Sequence, residues 1–234
     1  MLFFRHTVLM KLLAVVALFL LLSCGTVDRT KKYPHMVADA DPVSAGAIEA
    51  EFDRIFSSKL NKIPVEVIFY PRLNAVALEF RYELITYRQF WDEAGRRQFA
   101  TALEQYKKDY AERNLSGRYR KTRAIYGKTE GRVEWQTFKF AKTRLAFPAI
   151  ELGYRFREDR PFFATLMQPA REEDDFNDSS PPAESQQISM YFTRAQADDL
   201  VKLFDQSYLM GLLGEKDSPK SDEPFDVEFY EEYE

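Results

Sequence analysis

Apolar and polar residues alternate along several short stretches of this chain, and a period of two is typical of β-strands. The alternation is most regular in AIELGYRFRE, where Ile150, Leu152, Tyr154 and Phe156 are separated by Gly153 or by charged residues. Other stretches rich in aromatic and β-branched residues also predict strands, because these side chains fit a half-buried pleated surface. The predicted strands are VEVIFY, AVALEFRYELI, GRYRKTRAIYG, GRVEWQTFKFAKT, AIELGYRFRE, RPFFATLMQ and ISMYF.

Three other segments place apolar residues at helical spacing. In SAGAIEAEFDRIFSSKL, residues 44–60, the spacing of Ile48, Phe52 and Ile55 predicts a short helix that Ser44 caps. Two main helices are predicted further along the chain. The first carries Phe99, Ala102, Leu103, Tyr106 and Tyr110, and the second carries Leu200, Leu203, Phe204 and Tyr208.

A Thr-x-x-Gln pattern precedes each of the two main helices. It occurs at Thr86 to Gln89 and again at Thr193 to Gln196, each time directly after an apolar strand. In a capping box, the side chains of the first and fourth residues each bond the free backbone N–H of the other. Both segments are therefore predicted to begin helices. The recurrence indicates either a decayed strand-strand-helix repeat or two separate uses of a common cap.

The predicted order of elements is a helix, two strands, a helix, four or five strands and a last helix. This order indicates the α+β class, with an antiparallel sheet of about six to seven strands covered by two main helices. Residues 43–214 are predicted to form this single domain. The order resembles, in topology alone, the helix-grip folds, in which a curved antiparallel sheet wraps a helix around an apolar cavity. The resemblance implies a cavity under the sheet as an expectation.

The chain opens with a basic residue and a long apolar run. Residues 12–22 are all Leu, Ala, Val or Phe, and Arg5 precedes them, which is the pattern of a secretory signal peptide. The run is shorter than the ~20 residues that a membrane-spanning helix needs. We therefore predict a signal peptide in residues 1–23, with translation starting at either Met1 or Met10.

The sequence LLSC, which ends at Cys24, resembles the lipobox of bacterial lipoproteins. The resemblance implies a diacylglyceryl group on the Cys24 sulfur, cleavage before Cys24 and a lipid anchor in the cell envelope. The residue after the cysteine is Gly25 and not an aspartate. In a bacterium with two membranes, the resemblance then implies that the protein is anchored in the outer membrane, on its periplasmic or surface side. Residues 24–42 mix charges of both signs and are predicted to be a flexible tether.

Few residues are available for catalysis. Cys24 is the sole cysteine, and His35 is the sole histidine after the predicted cleavage. Once Cys24 is lipidated, no thiol is left for a disulfide, a metal site or a nucleophile, and a Ser-His-Asp triad lacks its base because His35 lies in the tether. The sequence has no GxSxG, P-loop or HExxH motif. We expect a protein that is not an enzyme and that uses no cofactor and no metal.

Charge is distributed unevenly along the chain. Residues 170–187 carry six acids and one arginine, and residues 215–234 carry nine acids and two lysines. The first segment is predicted to be an acidic loop and the second a disordered acidic tail, because neither has enough apolar residues to bury. Subtracting both segments, the signal and the balanced tether from the full count leaves a folded part with a net charge of +6.

Most of the excess positive charge lies between Arg113 and Arg144, a segment that contains ten basic residues and only two acidic ones. A basic sheet face on a membrane-tethered protein is suited to an acidic protein partner or to anionic lipid head groups. An ordinary solvated strand face would have the same composition, and nucleic acid is not expected across an export signal. The residues predicted to bind an anionic partner are Arg118, Arg120, Lys121, Arg123 and Arg132.

The aromatic residues allow a second function. They either form the core or line a groove, in which case the protein carries a lipid or another apolar ligand in a cavity under the sheet. The residues in question are Trp91, Trp135, Phe138, Phe140, Tyr154, Phe156, Phe162 and Phe163. A further aromatic set, which includes Phe225 and Phe229, lies in the acidic tail and predicts that the tail docks on its own domain or on a partner.

Overall fold

The alternating pattern folds into one antiparallel sheet that surrounds a long helix. The computed structural model describes residues 36–54, 57–115, 123–138, 141–173 and 182–215, all within the unit His35–Glu234. The predicted signal peptide, the predicted lipidation site Cys24, most of the tether, the centre of the acidic loop and the acidic tail lie outside the described residues.

The described residues form ten strands and three helices. The strands are β1 (Val43–Arg54), β2 (Ser57–Tyr70), β3 (Ala75–Tyr82), β4 (Ile85–Trp91), β5 (Arg123–Glu130), β6 (Arg132–Gln136), β7 (Arg144–Ala146), β8 (Ala149–Arg157), β9 (Arg160–Met167) and β10 (Ile188–Phe192). The helices are α1 (Glu93–Ala111), α2 (Arg194–Phe204) and α3 (Gln206–Glu215).

The ten strands form one sheet in the order β5-β8-β9-β10-β1-β2-β3-β4-β6-β7, and each neighbouring pair is antiparallel. Helix α1 contacts β5 and β8 at one end of this order and β4 near the other end. The sheet therefore curves around α1. Two short links also join its opposite ends, since Gly131 connects β5 to β6 and Phe147 and Pro148 connect β7 to β8. The Gly131 amide donates to the Pro148 carbonyl at 3.0 Å.

Aromatic side chains fill the space between the sheet and α1. Phe99 of α1 is fully buried, and its ring lies 5.7 Å from Trp91, 5.0 Å from Phe163, 6.1 Å from Phe192 and 5.4 Å from Phe204. Such edge-to-face contacts add to the free energy of apolar burial. The α+β class is thus confirmed, but the sheet has more strands than the sequence predicted, and three helices are described where two main helices were predicted to cover it.

The helix predicted in residues 44–60 is wrong, because this segment forms β1 and the start of β2. Ile48 and Phe52 are four residues apart, a separation that fits a helical face and a strand face equally. The intervening Ala50 is also buried, and acids separate the three, so the period is two. Gly46, with φ of 133°, lies at a register shift in the β1–β2 pairing.

The first predicted capping box is also wrong. Thr86 to Gln89 lie within β4, and α1 begins only after Asp92, whose side chain accepts the Gly95 amide at 2.7 Å. The second box is confirmed at Thr193 and Gln196, where both reciprocal bonds form. The repeat interpretation consequently loses one of the two caps on which it depended.

A turn and a helix break explain two further differences between the predicted and the observed elements. The predicted strand AVALEFRYELI is divided by a turn at Glu83, which has φ of 58°, so Leu84 is 65 % exposed. The second main helix breaks at Asp205, and its continuation α3 is held to β1 by a 2.8 Å bond from the Tyr208 hydroxyl to the Ala45 carbonyl. In the described ranges, no helix has the length and apolarity to cross a membrane.

Candidate anionic-partner surface

Of the five residues predicted to bind an anionic partner, the structure describes two, and these two lie in different strands. Arg118, Arg120 and Lys121 lie outside the described residues, Arg123 begins β5 and Arg132 begins β6. Strand β5 spans ~23 Å between Arg123 and Glu130, and β6 starts after Gly131. The fold therefore separates Arg132 from Arg123 by the length of a strand.

Arg132 has an acidic partner within its own domain. Its guanidinium forms an ion pair with Glu134 and lies 4.9 Å above the Phe90 ring. Glu134 also contacts Arg88 at 3.4 Å, and Arg88 contacts Glu79 at 2.6 Å. Opposite charges on neighbouring strands thus compensate one another at this end of the sheet.

Strand register brings Arg123 to a second group of arginines that the sequence did not single out. Arg123 pairs with Arg155 across β5 and β8, and Arg157 pairs with Arg160 across β8 and β9. The side chains of Arg155, Arg157 and Arg160 lie on the side of the sheet away from α1, because the alternate residues of β8, such as Tyr154, are buried against α1. We call the surface of these three side chains the arginine face; the backbone of Arg123 lies opposite Arg155.

A buried tyrosine and an aspartate organise the arginine face. The Tyr191 hydroxyl donates to Asp53 Oδ2 at 2.8 Å and accepts from Arg155 Nη1 at 3.0 Å. Arg157 bonds the other oxygen of Asp53 and lies 5.6 Å above the Tyr191 ring. Burial, together with the bond to Asp53, raises the pKa of Tyr191 although Arg155 opposes this effect. Tyr191 is therefore a neutral donor at physiological pH.

Arg155 differs from its neighbours in the kind of partner that it has. Arg157 pairs with Asp53 and Arg160 pairs with Glu158 at 3.3 Å. Arg155 bonds the neutral Tyr191 hydroxyl, and among the described residues no carboxylate lies within ion-pair distance of it. Its positive charge is thus less compensated than those of Arg157 and Arg160.

A small recess adjoins Arg155. Its volume is about 30 Å³ and its lining includes Ile125, Gly153, Leu166 and Ser189. At Gly153 the absence of a side chain lets the Ala124 backbone carbonyl approach closely, since a Cβ there would lie 1.9 Å from the carbonyl oxygen. A space of this size admits one or two waters or the end of a carboxylate, and it is too small for a lipid chain.

The aromatic residues that the sequence assigned either to the core or to a ligand groove are mostly buried. Trp91, Trp135, Tyr154, Phe162 and Phe163 are each at most 7 % exposed. Phe156 is partly buried, Phe138 is 67 % exposed, and Phe140 lies outside the described residues. Side chains therefore occupy most of the space in which the sequence predicted a cavity.

The sequence indicated which residues of β8 lie on the arginine face, but it did not indicate the residues from other strands that contact them. Alternation in AIELGYRFRE already separated Arg155 and Arg157 from the apolar residues of β8. Nothing local pointed to Asp53 and Tyr191, which are 104 residues from Arg157 and 36 residues from Arg155 respectively. In the described ranges, no group of three His, Cys, Asp or Glu side chains is arranged to hold a metal ion.

The flanks of the predicted acidic loop are ordered by a buried carboxylate. Glu172 is 7 % exposed, accepts the Ala183 amide at 3.1 Å and pairs with Arg144 and, at 3.5 Å, with Lys142. Burial alone would raise the pKa of Glu172, but the bonds from Ala183 and Arg144 and the charge of Lys142 together lower it. This carboxylate connects both ends of the loop to β7.

We expect Glu172 to make the stability of the domain depend on acid pH. Because its pKa is lower in the folded state than its ordinary value of 4.5, its stabilising contribution is complete above that value and is lost as the pH falls through the folded pKa. Urea denaturation of Glu172→Gln should show a deficit in unfolding free energy at pH 7 that narrows toward pH 3. Glu184→Gln, at an exposed position of the same loop, is the control and should show no such deficit. A deficit of equal size at both pH values would contradict this assignment.

Comparison with known proteins gives a family but no activity. Residues 44–211 match a family described as an uncharacterised Treponema protein. No curated protein and no solved structure matches the chain significantly. The matched range includes all ten strands except the first residue of β1, and it contains the whole arginine face.

Proposed function

We propose that this chain, which belongs to the family described as an uncharacterised Treponema protein, is a non-enzymatic binding protein of the cell envelope. In this proposal Cys24 carries the lipid anchor, residues 24–42 are the tether, and the arginine face takes a carboxylate-rich segment of an acidic protein partner. The proposed location is the outer membrane, on its periplasmic or surface side.

The observation that carries the proposal is the arrangement around Arg155. Its guanidinium has a phenol instead of a carboxylate as partner, and it lies at the edge of a recess of about 30 Å³. A guanidinium binds a carboxylate with charge-assisted, directional hydrogen bonds. The buried Tyr191 hydroxyl holds Arg155 in place, so little side-chain entropy is lost when a carboxylate binds.

Three further basic residues, Arg118, Arg120 and Lys121, precede Arg123 in the sequence, and Arg123 is in register with Arg155. In the proposal, the same partner segment also binds these three residues. Arg132 is not part of the arginine face in the proposal, because Glu134 already compensates its charge.

A second candidate function is the carrier of a lipid or another apolar ligand. Three polar atoms on the inner side of β4 favour it, namely Tyr87 Oη, Gln89 Oε1 and Trp91 Nε1, which are buried without a hydrogen-bond partner in the described part of the chain. Ligand sites often combine an apolar lining with a few such groups. Native mass spectrometry followed by organic extraction decides this point, since a carrier would release a bound apolar mass.

The test of the proposed function uses the full chain in nanodiscs of neutral phosphatidylcholine, with fluorescent poly-L-glutamate as the probe. We expect Arg155→Gln to weaken binding by about tenfold, which is about 1.4 kcal/mol. The triple reversal R118E/R120E/R123E should abolish binding. Affinity of the unaltered chain should fall as salt is raised, because exposed charges are screened.

Arg97→Gln is the matched control. Arg97 is an arginine on α1 whose side chain is 71 % exposed and pairs with Glu93, so its loss should leave probe binding unchanged. If both variants lost the same affinity for the probe, the net charge of the protein alone would explain the loss, and the proposal would be contradicted. If anionic lipid in the nanodisc displaces the probe from the unaltered chain, the arginine face is a membrane contact instead.

A further inference from the structure

The two ends of the sheet differ in how their outer edges are covered. At β7, the Glu173 amide donates to the Leu145 carbonyl at 2.8 Å. At the other end, β5 pairs with β8 alone among the described strands. An edge strand directs alternate N–H and C=O groups away from the sheet and offers them to another extended segment. Ile125 of this strand is 44 % exposed.

The acidic tail contains a segment with the pattern of a strand. In Phe225-Asp226-Val227-Glu228-Phe229, apolar and acidic residues alternate, so an extended conformation would place three apolar side chains on one face and two carboxylates on the other. A segment with one apolar face is suited to a sheet edge that lies beside a helix.

Charge complements this match. Residues 216–234 hold eight acids and two lysines. Strand β5 carries Arg123 and Lys128 against Glu130, and the Lys128 side chain pairs with Glu151 at 3.0 Å but remains 64 % exposed. Opposite charges on neighbouring strands stabilise their pairing. The basic residues that precede β5 add to the attraction.

The tail is long enough to reach this edge. Helix α3 ends at Glu215 and packs against β1, which is four places from β5 in the strand order. A strand added outside β5 lies five spacings of about 4.8 Å from β1, which amount to ~24 Å. The ten residues from Glu215 to Phe225 span up to ~33 Å when extended.

The outer edge of β5 is open among the described strands, and the tail has an alternating pattern, the opposite charge and a sufficient length. We therefore propose that residues 225–229 of the same chain add to β5 as a further strand of the sheet. Main-chain hydrogen bonds would supply the pairing and the alternating side chains the register, as in other cases of strand addition. The proposal does not rest on the proposed function, because it concerns contacts within one chain and needs no external partner.

Hydrogen exchange of the full chain in mild detergent tests the proposal. We expect the outward-directed, alternate amides among residues 124–130 to exchange about tenfold more slowly in the full chain than in a chain ending at Glu215, because a ladder bond must open before exchange. Val227→Pro should behave like the shortened chain, since proline lacks the N–H and interrupts a strand. Ser221→Pro, in the same tail but outside the segment, should retain the slow exchange.

Three results would overturn the proposal. The first is equal exchange of residues 124–130 in the full and the shortened chains, with the two giving the same circular dichroism spectrum. The second is slow exchange that survives Val227→Pro. The third is slow exchange that disappears on about hundredfold dilution, because mass action would then assign the added strand to a second copy.

Discussion

Phe99→Ala should lower the free energy of unfolding by about 3–5 kcal/mol, the largest loss that we expect from a single substitution in this domain. Phe99 is fully buried, and its ring meets Trp91, Phe163, Phe192 and Phe204 at centroid distances of 5.0 to 6.1 Å. Alanine would leave a cavity where α1, α2 and three strands converge. Since domains of this kind are stable by about 5–15 kcal/mol, the variant would lie close to the unfolding threshold. Urea denaturation followed by tryptophan fluorescence measures the loss.

Phe138→Ala is the matched control for Phe99. It removes the same atoms from a side chain that is 67 % exposed, and we expect a change within about 0.5 kcal/mol. A loss at Phe138 as large as that at Phe99 would mean that the ring is buried against another surface. A small loss at Phe99 would mean that the inner side of the sheet can collapse onto the missing ring.

Gly153→Ala should destabilise the domain by about 2–3 kcal/mol although it adds a single methyl group. A Cβ atom at Gly153 would lie 1.9 Å from the Ala124 carbonyl oxygen. The contact is with backbone, and the register of β5 against β8 shifts nearby, between Ile125 and Gly127, so β5 would have to move as a whole. The same movement would close or distort the recess beside Arg155, and we therefore expect weaker binding of poly-L-glutamate as well.

Gly211→Ala provides the comparison for Gly153. Gly211 lies in α3, nothing is within 4 Å of an added Cβ, and alanine in a helix is favoured by about 0.5–1 kcal/mol. The two glycine substitutions should thus shift the urea midpoint in opposite directions. A neutral Gly153→Ala would show that β5 can separate from β8 at little cost.

Local periodicity was sufficient for much of this fold and insufficient in particular places. The alternation in β8 and the helical face of α1 both predicted the observed elements, since each repeats its pattern over several residues. Ile48 and Phe52 fit either period, and the helical interpretation of residues 44–60 was wrong for that reason. Thr86 to Gln89 had the letters of a cap, but Gln89 is 1 % exposed within β4, so tertiary burial outweighed the local signal.

The candidate surface depended still more on contacts that are distant in sequence. Alternation showed that Arg155 is on the polar side of its strand, but not which strands lie next to it. Its environment depends on Tyr191 and Asp53, which are 138 residues apart. Strand order in a ten-stranded sheet is decided by packing of the whole chain, and a single sequence carries no direct record of it.

The position of β10 has a consequence for how this chain acquires its structure. Strand β10 lies between β9 and β1, with Met190 opposite Phe52, so a strand near the middle of the sheet is among the last to be synthesised. Contacts of such long sequence separation slow folding. An N-terminal portion that ends before Ile188 lacks β10, so β1 keeps β2 as its one partner and β9 keeps β8, and the sheet is then two separate pieces. A chain built in this way completes its fold only after its C-terminal part has been made, which is compatible with the export that we propose for it.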